Sequence, residues 1–239
     1  MGGKDAASER YIFTQLSKIT RAVFPEIDDR VLTYLTDDGD TVEPVYYIPI
    51  IPMILINGTK GIGTGFSTDI MSHNPIQIIQ YLENMLTNKN KLGTIEPYYK
   101  NFKGTILPCD NNHKYLIRGK YEMIDNNKIR ITELPLGTWT QTYKEFLEIL
   151  LVSKIKCYIK DYSDMSTEVN VEFIVQFYPG IIGKLLSEKH DYGLEGIEHY
   201  LKLSTTQSTS NMHLFNHKGQ LTKYDTIYSI MEEYYSIRL

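Results

Sequence analysis

The chain has 239 residues, 42% hydrophobic and 23% charged, enough for one large or two small domains with an ample core. A net charge of −4 and a pI near 5.9 exclude a generally basic polyanion binder, so any nucleic-acid contact has to be local. No apolar run approaches the ~18–20 residues of a membrane span, no secretory leader is visible, and two cysteines, Cys109 and Cys157, are too few for a disulfide framework and favour a reducing compartment.

From the N-terminus, the spacing predicts a helix over Ser8 to Phe24. Ser8 caps it, Ile12, Leu16, Ile19 and Val23 form an apolar stripe, and Pro25 ends it. At ~100° per residue, Tyr11 projects ~110° and Arg10 ~150° from the centre of that stripe, so neither is buried with it. Both stand at the first turn, where backbone N–H groups favour an anion. Arg30 to Ile48 has the pattern of strand, turn, strand, with Asp37-Asp38-Gly39-Asp40 as the turn. Two prolines in the apolar run that follows argue against a central strand up to Pro52.

Asn57 to Ser67, NGTKGIGTGFS, then packs four glycines (Gly58, Gly61, Gly63, Gly65) around one large apolar residue, Ile62. A second helix starts at Asn74-Pro75, with Ile78, Ile79, Leu82, Met85 and Leu86 on its apolar face. Short strands are expected at 105–107, 114–118, 121–124 and 128–133, with turns at Asp110-Asn111-Asn112 and Asp125-Asn126-Asn127. Thr138 and Gln141 fit a capping box before a helix that carries Trp139, Tyr143, Phe146, Leu147, Leu150 and Leu151. A strand over 169–177, one or two short helices over 185–203, a hairpin around Lys218-Gly219 and a final helix over 225–239 complete the pattern. The fold class is α+β. Both ends look cut: the first helix has no preceding structure, and the last has no terminator.

The glycine run fits neither common phosphate motif. Gly58 and Gly63 have P-loop spacing, but Thr64 stands where lysine is required, and Gly61-Ile62-Gly63-Thr64-Gly65 misses the third Rossmann glycine by one position. Ile62 either folds back into the core or projects as a wedge of the kind that DNA-bending proteins push between base steps. The Arg10-Tyr11 pair is either ordinary surface or the nucleophile and cation of phosphodiester chemistry. A phenol with a pKa of ~10 needs cationic neighbours and a metal for that work. No His/Cys cluster has ligand spacing, and Asp38-Gly39-Asp40 is explained by its turn, so no metal site is assigned. His73, His113, His190, His199, His213 and His217 are scattered, with surface or capping roles expected.

Four blocks together resemble the type IIA DNA topoisomerases, the eukaryotic-type enzyme and its viral forms more than bacterial gyrase. They are GGKDAASERYIFTQLS (2–17), YIPIIPMILINGTKGIGTGFS (47–67), YKNFKGTI (99–106) and ELPLGTWTQTYKEFLE (133–148), in family order along essentially the whole chain. The resemblance implies that Tyr11 attacks DNA and becomes joined to the 5′ end of a transient double-strand break, and that Arg10 steadies the scissile phosphate. It implies backbone contacts from Lys4 and Ser8, and intercalation by Ile62, with Gly61 and Gly63 letting the loop approach the groove. It further implies a winged-helix remnant over residues 1–50, a tower domain over 51–222 that includes a structural Trp139, and the start of a coiled-coil arm over 223–239. Mg²⁺ and ATP would be bound by TOPRIM and ATPase regions outside this chain, on the same or a companion chain. The partners would be double-stranded DNA and a second protomer, the latter contacted mostly outside these residues, in a nucleus or a cytoplasmic viral replication site and with no membrane. This chain alone is then expected neither to hydrolyse ATP nor to relax DNA. The alternatives are a non-catalytic DNA-bending or assembly module derived from such an enzyme, and a nucleotide-binding enzyme, which the missing P-loop lysine disfavours.

Overall fold

The computed structural model describes residues 8–89, 91–109, 113–153 and 157–239. Lys4 and the turn expected at 110–112 lie outside them. In chain order the elements are α1 (Thr20–Val23), β1 (Tyr34–Asp37), β2 (Asp40–Pro44), α2 (Met53–Asn57), β3 (Thr59–Gly63), β4 (Phe66–Ile70), α3 (Pro75–Leu86) and β5 (Thr105–Pro108). Next come β6 (Lys114–Arg118), β7 (Lys120–Asp125), β8 (Lys128–Glu133), α4 (Thr140–Val152), β9 (Ile159–Asp164), β10 (Phe173–Phe177), α5 (Ile181–Ser187) and α6 (Gly196–Tyr200). The last are β11 (Ser204–Ser208), β12 (His213–Phe215), β13 (Leu221–Lys223) and α7 (Ile227–Arg238). Every strand pairing is antiparallel, and helices and strands are mixed, as an α+β chain requires.

The described residues divide into two compact units, one of Lys100–Ser208 with Ser8 and Glu9, the other of Arg10–Tyr99 with Thr209–Leu239. In the 100–208 unit, a four-stranded sheet of order β7-β8-β10-β9 accompanies a three-stranded sheet of order β11-β6-β5. Alternation in β8 and β10 buries Ile129, Ile131, Phe173, Val175 and Phe177 against Tyr143 and Leu147 of α4 and Ile182 and Leu185 of α5. Each fully buried side chain of this size contributes about 1.5–3 kcal/mol. A bidentate ion pair also lies here. Arg118 donates from Nε and Nη2 to the buried Glu198, at 2.8 and 2.6 Å, and Glu198 also accepts from Glu195 N in the capping box that starts α6.

The second unit is built from three hairpins, β1-β2, β3-β4 and β12-β13, with α1, α2, α3 and α7. Its core holds Leu55, Ile70, Ile78, Tyr81, Ile95, Met212, Tyr224, Ile230 and Met231. Asn74 caps α3 through Ile76 N, and Thr226 caps α7 through Ser229 N, as expected for short polar residues ahead of an apolar period. Asp38 and Gly39, at φ 47° and 93°, make the tight turn of the first hairpin.

Four sequence expectations are corrected. The first helix is not continuous: a 3₁₀ turn covers Glu9–Tyr11 and α1 only Thr20–Val23. Of its stripe only Val23 is buried, while Ile12, Leu16 and Ile19 remain exposed, so among the described residues the amphipathic face lacks the packing that stabilises helices. The Thr138 capping box does not form. Trp139 is the N-cap of α4, without a side-chain cap, and is half exposed rather than part of the apolar face. On α3, Ile79 and Leu86 are exposed and Tyr81 takes a core position. Of the surface and capping roles expected for His73, the surface one is corrected: the side chain is buried, its ring 3.3 Å from the Leu55 carbonyl oxygen of α2.

Candidate nucleic-acid interface

Arg10 and Tyr11 are brought together by the 3₁₀ turn. The Arg10 guanidinium donates from Nη2 to Tyr11 Oη at 3.2 Å, and its Cζ lies 4.7 Å from the centre of the phenol ring. Tyr11 is 71% exposed, so its oxygen is open to a large substrate while a cation touches it. A guanidinium that donates to a phenolic oxygen stabilises negative charge developing there. Ser8, exposed, directly precedes the turn.

The glycine run is a β-hairpin rather than a loop. β3 pairs with β4 through Thr59↔Ile70, Lys60↔Asp69, Gly61↔Thr68, Ile62↔Ser67 and Gly63↔Phe66, and Gly65, at φ 82°, turns the chain. Each glycine has its own reason. Gly58 lies at φ 66°, ψ 175°, a backbone region essentially reserved for glycine, and a Cβ there would lie 2.6 Å from the Ile70 carbonyl oxygen. At Gly63 the Phe66 ring occupies the space of a side chain, with a Cβ only 2.4 Å from it. Gly61 meets nothing: a Cβ there would have open space and an ordinary φ.

Ile62 is 92% exposed. Of the two readings left open by the sequence, the core one is eliminated: Ile62 is presented, not packed. The hairpin that presents it is braced along β4. Phe66 meets Phe215 edge-to-face at 5.9 Å, Asn211 Nδ2 donates to Ser67 Oγ at 2.9 Å, and the amide N–H of His213 donates to Thr68 Oγ1 at 3.3 Å. These partners lie about 145 residues away in sequence, and no local pattern announces them.

A hairpin whose glycines serve turns and ring packing is not a phosphate cradle. Among the described residues no group of three or more His, Cys, Asp or Glu could hold a metal ion. No helix among the described residues is long and apolar enough to cross a membrane.

DNA topoisomerase 2 of Drosophila melanogaster is 40% identical over 240 residues, covering 99% of this chain and 16% of that protein. DNA topoisomerase 2-beta of Homo sapiens is 43% identical over 241 residues, covering all of this chain and 14% of that protein. The crystal structure of the Plasmodium falciparum topoisomerase II DNA-binding, cleavage and re-ligation domain superposes with a TM-score of 0.88 at 42% identity, over 99% of this chain and 31% of that one. The chain therefore spans about one-sixth or less of the curated relatives it matches. The family described as the A-type subunit of DNA gyrase/topoisomerase IV matches residues 1–239, and with it the exposed Arg10-Tyr11 pair and the presented Ile62 fall within a chain that belongs to that family.

Proposed function

We propose that this chain is the DNA-cleaving part of a type II DNA topoisomerase, with Tyr11 as nucleophile. The observation that carries the reading is the exposed phenol of Tyr11 with the Arg10 guanidinium on its oxygen. Tyr11 Oη attacks a backbone phosphorus, and the bond from phosphorus to the 3′ oxygen breaks. The phenolic proton is given up and one returns to the departing 3′ oxygen, leaving a 3′-hydroxyl and a 5′-phosphotyrosyl ester. One phosphodiester replaces another, so rejoining needs no external energy. Arg10 positions the phosphate and stabilises charge on the oxygens around it. Ile62 enters the base stack and bends the duplex, and Gly61, where a side chain would meet only open space, lets the backbone approach the groove. Ser8 and Lys4 contact the backbone nearby.

In this reading residues 1–50 belong to a winged-helix domain, 51–222 to a tower domain and 223–239 to the start of a coiled-coil arm. Mg²⁺ and ATP serve the enzyme through TOPRIM and ATPase regions outside these residues, and the working form is a homodimer acting inside the cell on double-stranded DNA. The second reading, a DNA-bending module without chemistry, is disfavoured by the intact Arg10 and Tyr11. The test is covalent trapping. The full-length protein is mixed with labelled duplex and Mg²⁺ and quenched with denaturant. A protein–DNA adduct that disappears in Tyr11→Phe supports the reading, and an adduct that persists refutes it.

A further inference from the structure

Strand pairing puts Lys60, Ile62, Ser67 and Asp69 on one face of the β3-β4 hairpin, opposite the face that carries Phe66 and Ile70. On that face the Lys60 ammonium lies 3.0 Å from Asp69 Oδ2, with the lysine side chain 81% exposed and the aspartate 21%. We infer that Lys60 is a DNA-backbone contact, an ammonium that Asp69 holds beside Ile62 and releases to a phosphate when the wedge enters the duplex. The inference rests on the wedge reading of Ile62 and adds to it the residue that anchors the wedge electrostatically.

Two residues along a strand span about 6.7 Å. The minor groove that wedges enter is about 6 Å wide and walled by phosphates on both sides. With Ile62 centred in the groove, the stem of Lys60 starts at or beyond one wall if the strand crosses the groove. If the strand follows the groove, Lys60 starts about two base steps along the same wall. Either way a four-carbon stem reaches a phosphate. The bond it gives up is an ion pair whose ammonium end is open to solvent, which already weakens it. The bond it gains displaces condensed counterions from DNA. Asp69 fits as the temporary partner: directly across the hairpin, it keeps the ammonium on the wedge face beside Ile62.

Counterion release supplies a readout that a structural role would not move. The full-length protein and its Lys60→Gln, Lys60→Arg, Asp69→Asn and Ile62→Ala variants are titrated with a short duplex from 50 to 200 mM salt. Bending is followed in the same samples by energy transfer between labelled ends. Lys60→Gln is expected to lower the slope of log affinity against log salt by about 0.9, so that its affinity falls about 3.5-fold less than wild type over that range. Lys60→Arg restores the slope. Asp69→Asn keeps the slope and binds more tightly, and weaker binding by that variant would overturn the exchange. A Lys60→Gln slope equal to wild type overturns the inference. Ile62→Ala should keep the slope and lose the bend; a retained bend would instead contradict the wedge reading. Absence of DNA binding by the wild type would contradict both.

Discussion

Replacing Ile62 with alanine separates a presented wedge from a structural residue. In the free protein the side chain is 92% exposed, so its removal should change stability by no more than about 0.5 kcal/mol. Inside a base stack the same side chain is desolvated. Alanine lacks three of its carbons, and at about 0.8 kcal/mol per buried carbon, discounted for incomplete burial, the loss is about 2 kcal/mol. That equals a roughly 30-fold shift from bent toward straight duplex. The assay is energy transfer across an end-labelled duplex, with thermal unfolding of the same variant. A fall in melting temperature of more than about 4 °C, equivalent to at least ~1 kcal/mol, would show that Ile62 supports the fold, and an unchanged bend would show that it is no wedge.

Gly61→Ala should fold normally, since its new Cβ meets nothing, yet weaken DNA binding; wild-type affinity would remove the close-approach role. Gly58→Ala should lower stability by about 2 kcal/mol, through a strained backbone and contact with Ile70 O, seen as a melting temperature lower by about 4–8 °C. Arg118→Ala strands the buried Glu198 carboxylate and should cost about 3–5 kcal/mol in urea unfolding; a loss below 1 kcal/mol would mean that water reaches the site. Burial pushes the His73 imidazole below its ordinary range, so the neutral ring is favoured in the fold and protonation favours the unfolded chain. Stability should therefore decline as pH falls below about 6.5 and level off beneath the folded-state pKa, and His73→Gln should flatten that decline.

Much of the fold was legible where local chemistry and tertiary packing agree. Asn74-Pro75 began a helix, Asp38-Gly39 turned a hairpin, and β8, β10 and α7 followed their apolar periods. The N-terminal segment was not legible because Ile12, Leu16 and Ile19 describe a helix only when a surface receives them. The hairpin of the glycine run was not legible because it is fixed at a distance, by Asn211, His213 and Phe215. Within the candidate site, Arg10 and Tyr11 were visible as letters and as family motif, and their hydrogen bond and exposure needed coordinates. The direction of Ile62 could not be read from pattern, since a residue between glycines has no local neighbours to betray it. The pairing of Lys60 with Asp69 likewise depends on strand register, which the turn sets.

The measurement that bears most directly on the central claim is the site of the DNA–protein bond. Adduct formed by the full-length protein with Mg²⁺ and duplex would be trapped by denaturant, digested with nuclease and protease, and sequenced by mass spectrometry. Attack by Tyr11 predicts a 5′-linked nucleotide on the peptide carrying Arg10-Tyr11, and on none of the other tyrosines among the chain's 19. A nucleotide on any other residue would contradict it.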